Sequence, residues 1–161
     1  MKVLGIDPGY ERLGIAVIQG KRGEEKLLHS ECFKTSAKLP FAERLVLIGE
    51  KVEKIINKYK PDLLSIENLF LNKNQKTVMR VAEVRGAIIY IAKKNKARVV
   101  EYTPLQIKNA IIGYGRADKR QVEFMISKLI KIPARKMIDD EYDAIAVALT
   151  ASASFRQLST G

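Results

Sequence analysis

The sequence holds one cysteine, Cys32, one histidine, His29, and no tryptophan. A single cysteine leaves no disulfide framework and no cysteine-rich zinc site, and a single histidine leaves no His-Glu-x-x-His metal helix. Cys32 lies in an apolar-alternating stretch and reads as a buried strand position rather than a nucleophile. His29 reads as a sheet residue for the same reason. No apolar run approaches the ~20 residues that span a bilayer, and an acid at position 7 comes too early for a secretory signal. The expectation is a cytoplasmic protein without membrane contact. Any chemistry has to run on carboxylates, lysines and metal.

Acids are outnumbered as well, 18 against 29 Lys and Arg, for a net charge of +11 and a pI near 9.8. Such a surplus suits a polyanion, for which nucleic acid is the common cytoplasmic candidate; a generally basic surface would give the same count. If four of the 18 acids gather in one site, the remainder is 29 against 14, or +15. A small acidic hole in a basic surface is therefore compatible with the totals. With 161 residues, 47% of them hydrophobic and 29% charged, the chain is expected to form one domain with its own core. That domain is expected over residues 1–151, with a small polar tail, 152–161, that frays. No internal repeat or long linker divides it.

The first stretch organises the rest. Val3, Leu4 and Ile6 form a short branched-apolar run that ends at Asp7, with the turn Pro8-Gly9 directly after. Asp7 is either turn chemistry or a ligand at the carboxyl end of a strand, where open α/β sheets bind. Strands over roughly 12–19 and 25–34 follow on short links, which makes an antiparallel meander of three. From Pro40 to Lys60 the period changes. Phe41, Leu45, Ile48, Val52 and Ile55 lie on one helical face, and Pro61 ends it. Leu63, Leu64 and Ile66 then lead to Glu67 as a buried strand. A helix between two strands of one sheet makes a right-handed crossover, so this strand runs parallel to the first and sets Glu67 near Asp7.

The helix predicted over 76–95 carries Val78, Val81, Ala82, Val84, Ala87, Ile88, Ile89, Tyr90 and Ile91, more apolar surface than one stripe needs. It is expected to be covered twice, by its own sheet and by a second copy of the chain or another segment. Gly86 would allow close approach or pack on the sheet. After a parallel strand at 97–102, Thr103 caps a short helix that begins at Pro104 and ends near Gly113. A basic, glycine-containing loop with Arg116 leads to Asp118 as N-cap and to Lys119 and Arg120. Basic side chains at a helix start oppose its dipole, which favours a phosphate-contacting reading. Val122, Met125, Ile126, Leu129 and Ile130 are expected to face inward.

The last helix starts with Asp139, Asp140, Glu141 and Asp143. Acids in a first turn suit the dipole, but Asp143 precedes an almost wholly apolar run and should face partly inward. Asp140 with Asp143, or Asp139 with Asp143, share a face, and spacing does not choose between them. Two strand-end acids and two helix-start acids thus converge. Like charges ~4 Å apart repel by ~4 kcal/mol at an effective dielectric of 20, so the group calls for protonation or for hard divalent cations. An oxygen-only donor set points to Mg²⁺ or Mn²⁺, and two ions ~3.5–4 Å apart could hold a scissile phosphate.

Gly5-Ile6-Asp7-Pro8-Gly9, Ser65-Ile66-Glu67-Asn68, the run from Lys108 to Val122, and Asp139 to Ala148 together resemble the RuvC family, the bacterial Holliday-junction resolvases, in order and to about Leu149. The resemblance implies an α/β, ribonuclease H-like fold: a five-stranded mixed sheet, three antiparallel strands and then two parallel, flanked by helices. It implies a homodimer, for which the helix at 76–95 is the expected interface, and Mg²⁺-dependent paired nicks in four-way junction DNA, in recombination and repair. A branch-migration complex is a further implied partner. The family's acidic quartet falls on Asp7, Glu67, Asp140 and Asp143, which leaves Asp139 as a cap. Its active-site lysines fall on Lys108 and Lys119, and its base-stacking aromatic on Phe70. Lys73, Lys76, Arg80, Arg116 and Arg120 complete the expected DNA contacts. The alternatives are a related nuclease acting on RNA-containing substrates, an ATP-binding domain of the actin and sugar-kinase type, and a junction-binding protein without catalysis.

Overall fold

The computed structural model describes residues 1–20, 23–69, 75–113 and 115–155. Strands β1 (Lys2–Asp7), β2 (Arg12–Gln19) and β3 (Lys26–Lys34) form the expected antiparallel meander. Helix α1 (Phe41–Tyr59) ends at Lys60 in the left-handed conformation, just before Pro61. Strand β4 (Leu63–Glu67) then pairs parallel with β1, and after helix α2 (Gln75–Lys94) strand β5 (Arg98–Tyr102) pairs parallel with β4. Helices α3 (Pro104–Ile112), α4 (Lys119–Leu129) and α5 (Asp139–Ser154) follow. The sheet order is β3-β2-β1-β4-β5, the expected mixed sheet of three antiparallel and two parallel strands. Thr103 and Asp118 cap α3 and α4 as expected, each in a capping box with a glutamine three residues on.

Side-chain alternation sorts the core into two layers. Leu4, Ile6, Leu13, Ile15, Val17, Leu64 and Ile66 pack under α1 and α2, whereas Val3, Ala16, Ile18 and Leu63 pack under α3, α4 and α5. Period-2 parity puts Asp7, Gly14 and Glu67 on the second of these faces. Helix α5 lies against that face at very short range. A Cβ on Gly5 would stand 2.2 Å from the carbonyl oxygen of Ala144 and 2.7 Å from Cβ of Ala148. One on Gly14 would stand 2.1 Å from the carbonyl oxygen of Asp140. Hydrogen is the only substituent that fits at either position. The one polar side chain of β4 in this contact, Ser65, donates to the Val147 carbonyl at 2.8 Å, so its burial leaves no donor unmet.

The start of α5 differs from expectation. Ile138 is its N-cap and Asp139 its first helical residue, and no side chain caps it by the usual route. Glu141 instead reaches back to accept the Ile138 N–H at 3.3 Å. Its buried carboxylate also accepts from Arg135 at 2.6 and 2.9 Å and from Ser30 at 2.9 Å, so it ties α5 to β3. The Arg135 guanidinium holds this carboxyl below the ordinary glutamate range against the opposing effect of burial. A depressed folded-state pKa stabilises the fold above the unfolded-state value, and that stability is lost as pH falls through the folded value. Glu141→Gln is therefore expected to cost about 1–3 kcal/mol at neutral pH and to flatten the acid limb of stability against pH. Urea unfolding across that range measures both.

Helix α2 is covered on one side by the sheet and on another by α1 of the same chain. Val84 and Ile88 are buried, Ile89 and Ile91 partly so, but Met79 is 65% and Tyr90 66% exposed, and Ala82 and Gly86 are exposed beside them. A Cβ on Gly86 would meet nothing within 4 Å, so this glycine does not pack on the sheet. In α4 Val122 and Ile126 face inward and Met125 is partly buried, but Leu129 is 44% exposed, because the chain leaves the helix there and Ile130 takes the inward place. Helix α5 runs on to Ser154, and Ser152 donates to Glu25 at 2.8 Å. Cys32 is a free thiol in β3, half-buried rather than buried, and its pKa is raised chiefly by burial. His29, as expected, belongs to the sheet and bonds Glu31 at 2.7 Å. Among the described residues no helix is long and apolar enough to cross a membrane.

Candidate active site

The parallel pairing of β1 and β4 brings the first two acids together. Ile6 pairs with Ile66, so Asp7 and Glu67 follow at one level on strands ~4.8 Å apart, and both line one cleft with Pro8, Asn68 and the first turns of α2. Glu67 also lines a second cleft, shared with Lys108, Lys119 and Asp143. Asp140 closes the group from the other side. Its carbonyl lies over Gly14, the β2 partner of Asp7, where a Cβ would stand 3.0 Å from that of Asp7. Short glycine and alanine contacts along the sheet thus lower the start of α5 onto the edge where the strand acids end.

Arg12 and Lys119 pair with acids of this group. Arg12, at the start of β2, donates to Asp140. Lys119, at the start of α4, is 2.9 Å from Asp139 and 3.7 Å from Asp143. Asp139 is therefore an ion-pair partner rather than a cap, and this hydrogen bond lowers its pKa. For Lys119, burial alone would lower the pKa, but Asp139 and Asp143 outweigh it and the pKa is raised. Asp143 goes the other way. Burial raises its carboxyl, the acids around it add to the rise, and Lys119 only partly offsets them.

Among the described residues no three of Asp, Glu, His and Cys already stand as a group that could hold a metal ion. The donor set nevertheless fits a hard divalent cation: four carboxylates, no soft ligand, and one of them reluctant to ionise without added positive charge. Arg12 and Lys119 supply part of that charge in the protein alone.

Two contributors escape a reading of the sequence. Arg85 is buried on α2, donates from Nε to the Glu67 carbonyl at 2.9 Å, and pairs with Glu101 on β5. It fixes the end of β4, and its only sequence signal is a charge between the inward positions Val84 and Ile88. Arg12 signals itself only as a charge sharing strand parity with Gly14. Of the expected DNA contacts, Lys76, Arg116 and Arg120 are exposed, whereas Arg80 lies over the Phe41 ring at 4.0 Å and pairs with Glu83 at 3.4 Å. Phe70 and Lys73 lie outside the described residues.

A mixed sheet of this order, with helices on both faces, defines an α/β protein of ribonuclease H-like fold. Residues 3–151 match the family model of crossover junction endodeoxyribonuclease RuvC. The crossover junction endodeoxyribonuclease RuvC of Ruminiclostridium cellulolyticum is 40% identical over 156 residues, 97% of this chain and 94% of that protein. The one from Finegoldia magna is 43% identical over 149 residues, 92% and 91% of the two chains. The structure of Thermus thermophilus RuvC in complex with Holliday junction substrate superimposes with a TM-score of 0.91 at 31% identity, covering 99% of this chain and 97% of that one. The chain belongs to the RuvC family of crossover junction endodeoxyribonucleases, enzymes that hydrolyse phosphodiester bonds.

Proposed function

We propose that this chain is a cytoplasmic enzyme that resolves four-way DNA junctions by paired, metal-dependent hydrolysis, and that Asp7, Glu67, Asp140 and Asp143 hold the metal. The observation that carries the reading is the meeting of acids from β1, β4 and α5 at one sheet edge, in a chain of net charge +11. Bound Mg²⁺ or Mn²⁺, one ion or two, would supply an activated water and neutralise charge on the leaving oxygen. The residues of the chain do the rest. Glu67 lines both clefts and so joins the Asp7 side of the site to the Asp143 side. Lys108 and Lys119 line the second cleft and would hold a phosphate oxygen or pass a proton to the departing strand end. Exposed Lys76, Arg116 and Arg120 would contact neighbouring phosphates, with Phe70 and Lys73 as further DNA contacts.

A four-way junction is near two-fold symmetric, and a C2 dimer offers two equal sites at fixed separation. The exposed stripe Met79, Ala82, Gly86 and Tyr90 on α2 supports dimerisation there, since it is apolar and, at Gly86, open to close approach.

The test is incubation with a synthetic immobile junction, matched linear duplex and an RNA–DNA hybrid, with and without Mg²⁺. Symmetric nicks in the junction alone, and only with the metal, are expected. Equal cutting of the hybrid would transfer the reading to RNA-containing substrates.

A further inference from the structure

Arg12 opens β2 on the same sheet face as Gly14, two residues beyond the Asp7–Gly14 pair, and reaches the first turn of α5. Its Nη2 donates to Oδ2 of Asp140. The two ends of this pair differ in surroundings: the Asp140 side chain is 17% exposed and that of Arg12 50%. The carboxylate belongs to the site, and the guanidinium reaches it from the solvent side. Arginine keeps its proton at any working pH, so this positive charge is fixed.

A divalent ion that takes Asp140 meets that charge at contact distance. Sharing the carboxylate sets a cation beside a dication, and repulsion opposes it. The side chain, half in solvent on a flexible stem, can swing outward instead. What arrives on the outer side in the proposed reaction is a DNA backbone, whose phosphate oxygens match a guanidinium fork. We infer that Arg12 is a placeholder cation: it neutralises Asp140 while no divalent ion is bound, and it moves to a DNA phosphate when the ion takes Asp140. The inference rests on the metal-site reading above. By linkage, an ion that frees Arg12 strengthens DNA binding, and DNA that engages Arg12 strengthens ion binding to the same degree. A purely structural Arg12, one that staples β2 to α5, would change stability on removal but would not hold back metal.

The experiment is calorimetric titration of the DNA-free full chain with Mn²⁺, for the wild type, Arg12→Gln, Arg12→Lys and, as a control for the site, Asp7→Asn. Arg12→Gln is expected to bind Mn²⁺ about tenfold more tightly than wild type, with Arg12→Lys between them. With Ca²⁺ as the ion, junction affinity of Arg12→Gln should fall, and the slope of log affinity against log salt should become shallower by about 0.9 per site. Mn²⁺ affinity unchanged or weakened in both Arg12 variants overturns the inference, and so does an unchanged salt slope. A wild type without any Mn²⁺ binding that Asp7→Asn removes would sink the metal reading and the placeholder with it, a result recognisable from the wild-type and Asp7→Asn titrations alone.

Discussion

Asp7→Asn is expected to lower strand cleavage by about 10³-fold or more while junction binding survives or tightens. Asp7 ends β1 at the level of Glu67 and beside Gly14, under the first turn of α5, so it neighbours both the β4 acid and the start of the helix. A metal contribution of several kcal/mol to the transition state corresponds to at least that factor, at tenfold per ~1.4 kcal/mol. Binding responds with the opposite sign, because the substitution removes a negative charge that faces a polyanion. That repulsion is ~1 kcal/mol per unit charge at ~4 Å in water and more where solvent is thin. Gel-resolved single-turnover cleavage and equilibrium binding separate the two effects. Cleavage within tenfold of wild type would remove Asp7 from the chemistry. The same assay carries a pH test. In the proposed site Asp143 has to ionise to hold the ion, and burial raises its pKa in the ion-free protein, so at subsaturating Mg²⁺ the acid limb of wild-type cleavage should lie above that of an ordinary aspartate.

The second large effect is expected in stability, from Gly5→Ala. An alanine in a strand normally gains about 0.5–1 kcal/mol over glycine from lower chain entropy. Here the new Cβ would stand 2.2 Å from the Ala144 carbonyl oxygen and 2.7 Å from Ala148 Cβ. Both neighbours are parts of a packed helix, so β1 and α5 have to separate. Overpacking of this kind costs up to about 3 kcal/mol, which outweighs the entropic gain and lowers the melting temperature by up to roughly 10 °C, at about 2–4 °C per kcal/mol for a domain of this size. A Gly5→Ala protein that melts at or above the wild-type temperature would contradict the close contact. Gly14→Ala presses on the Asp140 carbonyl, so its damage should appear in cleavage as well as in melting.

Strand and helix positions were legible because burial imposes period 2 on the one and period 3.6 on the other, and Asp7 and Glu67 could be placed together because a parallel crossover leaves little choice of edge. Roles that depend on where a long side chain swings were not legible. Asp139 is left as a cap once the family's quartet takes Asp140 and Asp143, yet Glu141 from inside the helix does that work and Asp139 turns to Lys119. Arg12 and Arg85 carry no pattern beyond a charge beside apolar residues, and only the packed fold sets one against Asp140 and the other against the Glu67 carbonyl. The extra apolar surface of α2 was visible, but its division between α1 and solvent was not, because periodicity reports which faces are greasy and not what covers them.

Glycine has no smaller replacement. At Gly5 and Gly14 the separation of helix from sheet already sits at its floor, so point mutation there can push the four acids apart and can never draw them closer. Drift at these two codons is one-sided, and a tighter grip on the proposed ion could come only from changes on the helix, on the flanking cations or in the ion itself.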